Sequence, residues 1–523
     1  MRPIAALLML ALGLCAGLGA PPARAAIGDS ASQPLVIAFN GGGVTLDPIM
    51  RAESTTTAWQ GHIFDPITIE GTHGALRPRI AVKWQSLNPE MWRLTLRQGV
   101  KFQDGTMMTA DDVGKSILDT GRNPKSQFRE LANDVSGYKV VAPDTIDVSF
   151  SKPDPLFPLH CEGIPVMPEA LIAKEGREAF ANHPIGTGPY KFVSWLADDH
   201  LNLIAWDGFW GRKPAFANVR LESIPDGATR VASLLSGQIQ VAEKIDPSDL
   251  ARVKNSGKAY ISLTPGQRTI YLAMDAWRQT GSPGLAPGVK NPFLDPRVRE
   301  AVLLAINVPA IKNKIFDGAA EIAAQFTPHG VEGFDPSLKP LPYDVARAKK
   351  LLAEAGYPKG FTVRLDGSND RYLEDSLVEQ AIGGLLGEVG IKVDVNSVPK
   401  AVFFPMIDRG DFTMYFAGWG SNSAITTWGA VYHCRDPKAG FGEVNREHFC
   451  DPAADATMAK ASSDFDTKTR ERQIAAAYHE ADRVKFAYLP LYYEDVIAGI
   501  SSQIAYTSRQ DEQIFAWQMT RRK

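Results

Sequence analysis

Short apolar runs and amphipathic segments alternate along most of this chain. The apolar or alternating runs predict β-strands, because they have the length and pattern of strands that are buried on one or both faces. They lie at 35–40, 92–96, 361–365, 391–395 and 412–416. Helices are predicted where an apolar stripe of helical period follows a capping signal, near Thr109, Asp295, Asp344 and Asp466. Strands that alternate with helices indicate an α/β fold.

The predicted helices are bounded by recognisable capping signals. Thr109 and Asp112 have the spacing of a capping box, in which each side chain bonds to the other residue's backbone N–H. Pro296 stands at the first helical position after Asp295, where proline is favoured. Gly356 suits the left-handed stop of the third helix. These signals predict where the helices begin and end.

The first residues have the pattern of an export signal. Arg2 supplies a positive start, the apolar run over 4–18 is too short to span a bilayer comfortably, and Ala23-Arg24-Ala25 suits a signal peptidase. We therefore predict that residues 1–25 are a signal peptide, which is cleaved before Ala26. No later stretch is long and apolar enough to cross a membrane, so we expect the mature protein in the periplasm.

Composition and charge exclude several classes of partner. The chain has 523 residues, 44% hydrophobic and 22% charged, as in ordinary globular proteins, and this length predicts two to four structural units. Its 56 basic and 59 acidic residues give a net charge of −3. Because no basic excess is present, we expect neither nucleic-acid binding nor docking on an anionic membrane surface.

Export also changes the meaning of the cysteines. Cys434 and Cys450 lie 16 residues apart, and an oxidising compartment favours a disulfide between them. His433 and His448 flank this pair, which leaves a zinc site as the alternative, although the closely spaced cysteine pairs of zinc sites are missing. Cys161 is then unpaired, and we expect it to be a small buried apolar residue.

The motifs of several enzyme classes are incomplete in this sequence. Gly114-Lys115-Ser116 resembles the end of a P-loop, but Thr109 stands where the first glycine belongs. His479-Glu480 begins a zinc-protease motif, but Arg483 replaces its second histidine. No G-x-S-x-G nucleophile elbow is present. We therefore expect no catalytic residues, no metal site and no cofactor, with a secreted hydrolase as the alternative from another class.

Four segments, in one order and spacing, resemble a known protein family. They are KFQDGTMMTADDV at 101–113, PIGTGPY at 184–190, DPRVREA followed by AIN within 295–307, and YD followed by AKKLLAEAG within 343–356. Together they resemble the extracellular solute-binding proteins of family 5, the dipeptide, oligopeptide and nickel-binding group of ABC importers. The resemblance extends from about residue 34 to the C-terminus.

The resemblance implies a two-lobed clamp of the periplasmic-binding-protein type. Lobe I would comprise 34–66, 186–268 and 497–523, with an inserted subdomain at 67–185, and lobe II would comprise 269–496. The implied function is the substrate-binding component of an ABC import system. This component would bind peptides or amino-acid-like small molecules between the lobes and, as a monomer, deliver them to a permease in the inner membrane. The alternatives are a receptor for a metal chelate, an opine or a sugar conjugate, and a sensory accessory protein.

The resemblance also implies a binding loop in lobe II. Peptide binders of the family place an aspartate just after a Gly-Trp pair, where it pairs with the ligand's α-ammonium. Here Gly418-Trp419 is followed by a stretch without an acid up to Trp428. We therefore predict a ligand held by neutral hydrogen bonds from Ser421 and Asn422, against Trp419 and Trp428.

Other candidate binding residues lie on both lobes. Arg371 and Tyr372 occupy a segment where related proteins present an arginine and an aromatic ring to the cleft, and a guanidinium there would pair with a carboxylate or phosphate. Thr45 and Asp47 follow the glycine turn of lobe I, and Asp47 is a candidate replacement for the missing ammonium partner. Tyr271 lies on a predicted crossing between the lobes.

Overall fold

The computed structural model describes residues 33–71, 75–436 and 438–522. The predicted signal peptide, residues 1–25, and its cleavage site before Ala26 lie outside the described residues. In the part of the chain that is described, no helix combines the length and the apolar character needed to cross a membrane.

The strands fall into four sheets within the described residues. In chain order, they are β1 (Leu35–Phe39), β2 (Thr68–Glu70), β3 (Leu76–Pro78), β4 (Ala81–Asn88), β5 (Met91–Leu96), β6 (Val135–Ala142), β7 (Thr145–Phe150), β8 (Tyr190–Leu196), β9 (His200–Ala205), β10 (Asn218–Ser223), β11 (Val241–Ala242), β12 (Ala259–Met274), β13 (Ala320–Ile322), β14 (Thr362–Ser368), β15 (Lys392–Val398), β16 (Met414–Gly420), β17 (Tyr488–Ser501), β18 (Ile504–Ala505) and β19 (Thr520–Arg521).

Helices cover the faces of these sheets. In chain order, they are α1 (Ser54–Gln60), α2 (Ala110–Arg122), α3 (Phe157–His160), α4 (Glu169–Glu175), α5 (Arg177–Asn182), α6 (Gly227–Ser236), α7 (Leu250–Lys254), α8 (Pro296–Ala305), α9 (Val308–Lys314), α10 (Val345–Glu354), α11 (Asp375–Gly387), α12 (Lys400–Asp408), α13 (Ala424–Thr427), α14 (Pro452–Ala461) and α15 (Thr467–His479).

One mixed sheet runs through both predicted lobes. Its strand order is β15-β14-β16-β12-β17-β11-β1-β10-β9-β8, and β13 pairs with β17 beside this path. β1 is parallel to both neighbours, and β14 is parallel to β15 and β16. The pairs at the middle, β12 with β16 and β17, are antiparallel. The two long strands therefore join the lobe I half of the sheet to the lobe II half.

The crossing between the halves lies at an interruption in the pairing of β12 with β17. The register of this ladder shifts between Pro265 and Arg268. At Gly266 a Cβ atom would lie 2.3 Å from the carbonyl oxygen of Glu494, so the two backbones approach more closely than a side chain allows. The bulge places Gln267 and Arg268 at the junction of the lobes.

The inserted subdomain has a sheet and a core of its own. The sheet has the order β4-β5-β7-β6, and α2 packs on it through Val113 and Ile117, which are fully buried. Cys161 is also fully buried in this core, as predicted for an unpaired cysteine.

Two further cores lie on opposite faces of β1. Val36 and Ala38 join a cluster with residues of α8 and α11, whereas Leu35, Ile37 and Phe39 join the second cluster, which belongs to lobe I. Alternate residues of a strand point to opposite faces, so a strand covered on both faces is apolar throughout. This explains why the run at 35–40 contains no polar position before its last residue.

The predicted helix signals and the disulfide are confirmed. Thr109 Oγ1 accepts a hydrogen bond from the backbone of Asp112 at 3.2 Å, and Asp112 Oδ2 accepts one from the backbone of Thr109 at 2.8 Å. Gly356 has a φ of +93° just beyond the end of α10. Cys434 and Cys450 are joined to each other, which leaves neither free for zinc.

Candidate functional site

A cleft lies between the two predicted lobes, where β12 and β17 cross. Among the described residues it contains two cavities, of about 310 Å³ and 560 Å³. Ala52, Ser54, Arg268, Gly420 and Glu512 border both of them, so the two cavities adjoin each other within the cleft. We call the smaller one the first cavity and the larger one the second cavity.

Arg268 forms an ionic contact between the lobes at the boundary of the two cavities. Its guanidinium donates two hydrogen bonds of 2.9 Å to Glu512, in the C-terminal part of lobe I, and lies 3.5 Å from Glu494 of lobe II. Burial by itself would raise the pKa of Glu512. The charges of Arg268, Arg371 and Lys244 and the hydrogen bonds from Arg268 outweigh burial and lower this pKa to about 2. Glu512 is therefore ionised at neutral pH.

Basic side chains line one wall of the second cavity. Lys244 donates from Nζ to the backbone oxygen of Arg371 at 2.7 Å, and burial lowers the pKa of Lys244. The guanidinium of Arg371 lies over the ring of Tyr372, 5.3 Å from its centre, and makes no salt bridge with any described residue. Arg371 thus presents a positive charge without a carboxylate partner, which suits an anionic group of a solute.

The loop after β16 separates the cavities. Trp419 lines the second cavity and donates from Nε1 to Thr427 Oγ1 at 3.1 Å, while Ser421 and Asn422 line the first. Ser423 caps the short helix α13, because its Oγ accepts a hydrogen bond from the backbone N–H of Thr426. β16 continues to Gly420, further than the predicted strand at 412–416, because its pairing with β12 continues until Gly420 meets Arg268.

The predicted binding residues divide into two groups by position. Arg371, Tyr372, Trp419 and Tyr271 line the second cavity, and Ser421 and Asn422 line the first. The side chain of Tyr271 is 2% exposed and packs against Phe326 and Tyr488, so the cavity reaches only a small part of it.

Three predicted residues line neither cavity. Trp428 is fully buried in lobe II, where its ring stacks on Tyr432 and its Nε1 donates to Asp455 at 2.8 Å. Asp47 is buried and accepts two hydrogen bonds of 3.0 Å from Arg177 of α5. The hydroxyl of Thr45 accepts a hydrogen bond from the backbone of Asp47. In this conformation Asp47 already has a cationic partner within its own lobe.

The sequence reasoning missed a group of three acidic residues, of which Glu162 and Asp511 line the first cavity and Glu70 lies buried next to them. One carboxylate oxygen each from Glu70, Glu162 and Asp511 lies within 4.8 Å of the other two. Glu70 ends β2, and Glu162 follows α3 beside the buried Cys161, so both belong to the inserted subdomain. Asp511 belongs to the C-terminal part of lobe I. No spacing pattern could reveal this group, because the three residues are far apart along the chain.

Burial and mutual repulsion shape the protonation of this acidic group. Burial and, to a smaller extent, the charge of Asp511 raise the pKa of Glu70 to about 7. The hydrogen bond from Gln267 lowers this pKa but does not offset the other two effects. Burial and the charges of Glu70 and Asp511 raise the pKa of Glu162. The side chain of Asn422 lies close enough to lower the pKa of both glutamates. Carboxylates arranged in this way suit a cationic group.

The protein has two lobes that are joined by two long strands and separated by a cleft. This architecture is typical of clamp-like receptors, which close around a solute. The family described as bacterial extracellular solute-binding proteins, family 5 (middle region), matches residues 75–439, and the chain belongs to this family. The predicted family and its predicted role as a substrate-binding component are thereby confirmed.

Relatives and solved structures agree with this assignment. The chain is 26% identical over 515 residues to the glutathione-binding protein GsiB of Salmonella typhi, covering 95% of this chain and 94% of that protein. The peptide-bound periplasmic protein DppA of Helicobacter pylori is 21% identical, with a TM-score of 0.74 over 94% of this chain and 98% of that one. The dipeptide-binding protein of Pseudoalteromonas in complex with Met-Leu is 20% identical, with a TM-score of 0.78 over 94% and 100%. These structures confirm the predicted two-lobed α/β fold.

Proposed function

We propose that this protein is the periplasmic substrate-binding component of an ABC import system, which binds peptides or amino-acid-like solutes in the cleft and delivers them to a membrane permease. The observation that carries this proposal is the cleft with its two adjoining cavities, which side chains from both lobes line. A ligand that contacts both lobes favours the closed arrangement, because it shifts the equilibrium by the difference between its affinities for the two states.

The polar groups of the second cavity support a solute with a carboxylate. The guanidinium of Arg371 can accept it in a bidentate geometry, and Lys244 adds a second positive charge beside it. Trp419, Phe404 and Val444 supply apolar wall to the same cavity. A few placed polar groups within apolar walls fix the orientation of a ligand while its side chains vary.

The remaining parts of the proposal follow from the family and the N-terminal sequence. Residues 1–25 act as a signal peptide, and the mature protein is a periplasmic monomer that docks transiently on the permease. The protein carries no catalytic residues and needs no cofactor, because closure around the solute is its whole task. We expect the lobe boundaries to be those predicted from the sequence. We also expect Tyr271, Tyr372, Trp419, Ser421 and Asn422 to contact the ligand.

Native mass spectrometry and thermal unfolding test this proposal. The freshly purified protein is examined for a bound solute, and then dipeptides, tripeptides including glutathione, opines, sugar conjugates and nickel chelates are added separately. A ligand at 100 times its dissociation constant adds about 2.7 kcal/mol to the stability of the folded state. A shift in Tm with peptides supports the proposal, whereas a shift only with a chelate or another non-peptide overturns the proposed substrate.

A pair of variants locates the site. Arg371→Ala should reduce the ligand-induced rise in Tm while leaving the Tm of the free protein nearly unchanged, because Arg371 forms no salt bridge with any described residue. Arg212→Ala is the matched control, since Arg212 is exposed and borders neither cavity. If Arg371→Ala retains the full response to ligand, the proposed role of the second cavity is wrong.

A further inference from the structure

The acidic group of the first cavity contains buried oxygens that lack a donor. Glu70 is 1% exposed, and its Oε1 accepts a hydrogen bond of 2.9 Å from Gln267. Its Oε2 and the Oε2 of Glu162 are buried, and neither has a hydrogen-bond partner of good geometry among the described residues. A buried carboxylate oxygen without a donor is costly to ionise, so a donor from a bound solute would stabilise the charged form of both glutamates.

The arginines that border the first cavity are already paired. Arg79 bonds to Asp65, Arg268 bonds to Glu512, and Arg509 bonds to Asp511. These pairs leave Glu70 and Glu162 as the acidic side chains that no arginine of the first cavity neutralises. The first cavity therefore offers carboxyl groups that a bound cation would hold in the ionised form, whereas the second cavity offers the unpaired guanidinium of Arg371.

We propose that Glu162, with Glu70 buried behind it and Asp511 beside it, forms a cation-binding site at the end of the first cavity, which takes the protonated amine of the bound solute. This inference rests on the proposed function and adds the direction in which the solute lies. The amine faces the inserted subdomain, and the carboxylate faces Arg371 at the other end of the cleft. Asn422 of lobe II borders the same cavity, so an amine held there lies between both lobes.

The geometry favours an amine over a divalent metal ion. Asp511 is held on both oxygens by Arg509, with contacts of 2.9 Å and 3.1 Å from Nε, so its carboxylate is not free to coordinate a metal. An ammonium group has three N–H donors and can satisfy the two free glutamate oxygens by hydrogen bonds. The cavity also opens into the space that the rest of the solute would occupy.

Three peptide libraries of the same composition test the inference. One contains di- and tripeptides with free amino termini, the second is N-acetylated and so lacks the charge, and the third is N-methylated and so keeps the charge with added bulk. Affinity is measured by the rise in Tm with concentration. The acetylated library should bind about tenfold more weakly or worse than the free library, because truncating a buried charged pair removes a large part of its interaction. The N-methylated library should remain close to the free one.

Variants connect this preference to the acidic group. Glu162→Gln should bring the affinities of the free and acetylated libraries to within about twofold of each other, because the charge is lost with little change in shape. Glu70→Gln is the second variant and should have the same effect. Glu175→Gln, an exposed glutamate of the same subdomain, is the matched control and should keep the wild-type preference.

Each outcome separates this inference from the proposed function. If the free and acetylated libraries bind equally well to the wild type, the cation site is refuted and the peptide receptor stands. If none of the libraries binds, the proposed substrate fails and this inference fails with it. If nickel or calcium chloride raises Tm and Glu162→Gln abolishes that rise without any preference between libraries, the site binds a metal and the amine assignment is wrong.

Discussion

The ion pair of Arg268 and Glu512, at the crossing between the lobes, should make a measurable contribution to stability that depends on pH. Glu512 accepts two hydrogen bonds from Arg268, at the boundary of the two cavities. The substitution Glu512→Gln removes the negative charge and keeps the size of the side chain. It leaves the buried guanidinium of Arg268 with Glu494 as its nearest carboxylate, at 3.5 Å.

The magnitude follows from the pKa of Glu512. Its ordinary value is 4.5, and its surroundings lower it to about 2 in the folded protein. At about 1.4 kcal/mol for each tenfold change in proton affinity, this difference corresponds to about 3 kcal/mol. Because the side chain is 28% exposed, water screens part of the interaction, and we expect a loss of about 2 kcal/mol at pH 7.

The sign of the pH dependence provides the test. Glu512 has a lowered pKa, so its contribution is fully present above pH 4.5 and disappears as the pH falls towards 2. Urea unfolding of the wild type and of Glu512→Gln, followed by tryptophan fluorescence, should therefore show a difference that shrinks by more than half between pH 7 and pH 3. Glu175→Gln, an exposed glutamate, serves as the control. A difference that is the same at both pH values would refute the reasoning.

Three further predictions concern stability alone. Replacing both Cys434 and Cys450 by alanine should lower the free energy of unfolding by about 3 kcal/mol, because a 16-residue loop is freed in the unfolded chain, and urea unfolding measures the loss. Gly266→Ala should lower the free energy of unfolding by about 1–3 kcal/mol in the same assay, because its Cβ would overlap the carbonyl oxygen of Glu494 and force the two strands apart. An unchanged midpoint of urea unfolding would contradict the close approach of the two backbones. Burial and Asp511 raise the pKa of Glu70 from 4.5 to about 7, so the free energy of unfolding of the wild type should fall as the pH rises through this interval. Glu70→Gln should not show this fall. Parallel plots of the free energy of unfolding against pH for the two proteins, from pH 5 to pH 8, would count against this.

Local signals in the sequence are sufficient to predict where several helices begin or end. The capping box of Thr109 and Asp112, the proline that opens α8 and the glycine after α10 depend on residues close together in the chain, and each forms as predicted. The end of β16 at Gly420 could not be predicted in this way. It depends on pairing with Arg268, which lies about 150 positions earlier in the chain.

The cleft was only partly predictable. The loop with Trp419, Ser421 and Asn422 is predicted from the Gly-Trp pair that the family resemblance marks as a binding position, and the structure places it between the cavities. Asp47, in contrast, is a plausible cation partner in the sequence, yet Arg177 of α5 holds its carboxylate at 3.0 Å. A sequence does not show which charges pair, because pairing depends on distances that the fold sets.

The sequence by itself determined the family, the α/β pattern of helices and strands, and the disulfide, because each depends on residue order, on spacing or on the redox conditions of an exported protein. Only the tertiary structure decided the charges of the cleft. It brings Glu70, Glu162 and Asp511 within 4.8 Å of one another from three separate parts of the chain, and it leaves Arg371 at the other end. Electrostatic interactions act through space and grow stronger with burial, so which charges of the cleft are paired and which are left without a partner emerges only when the chain has folded.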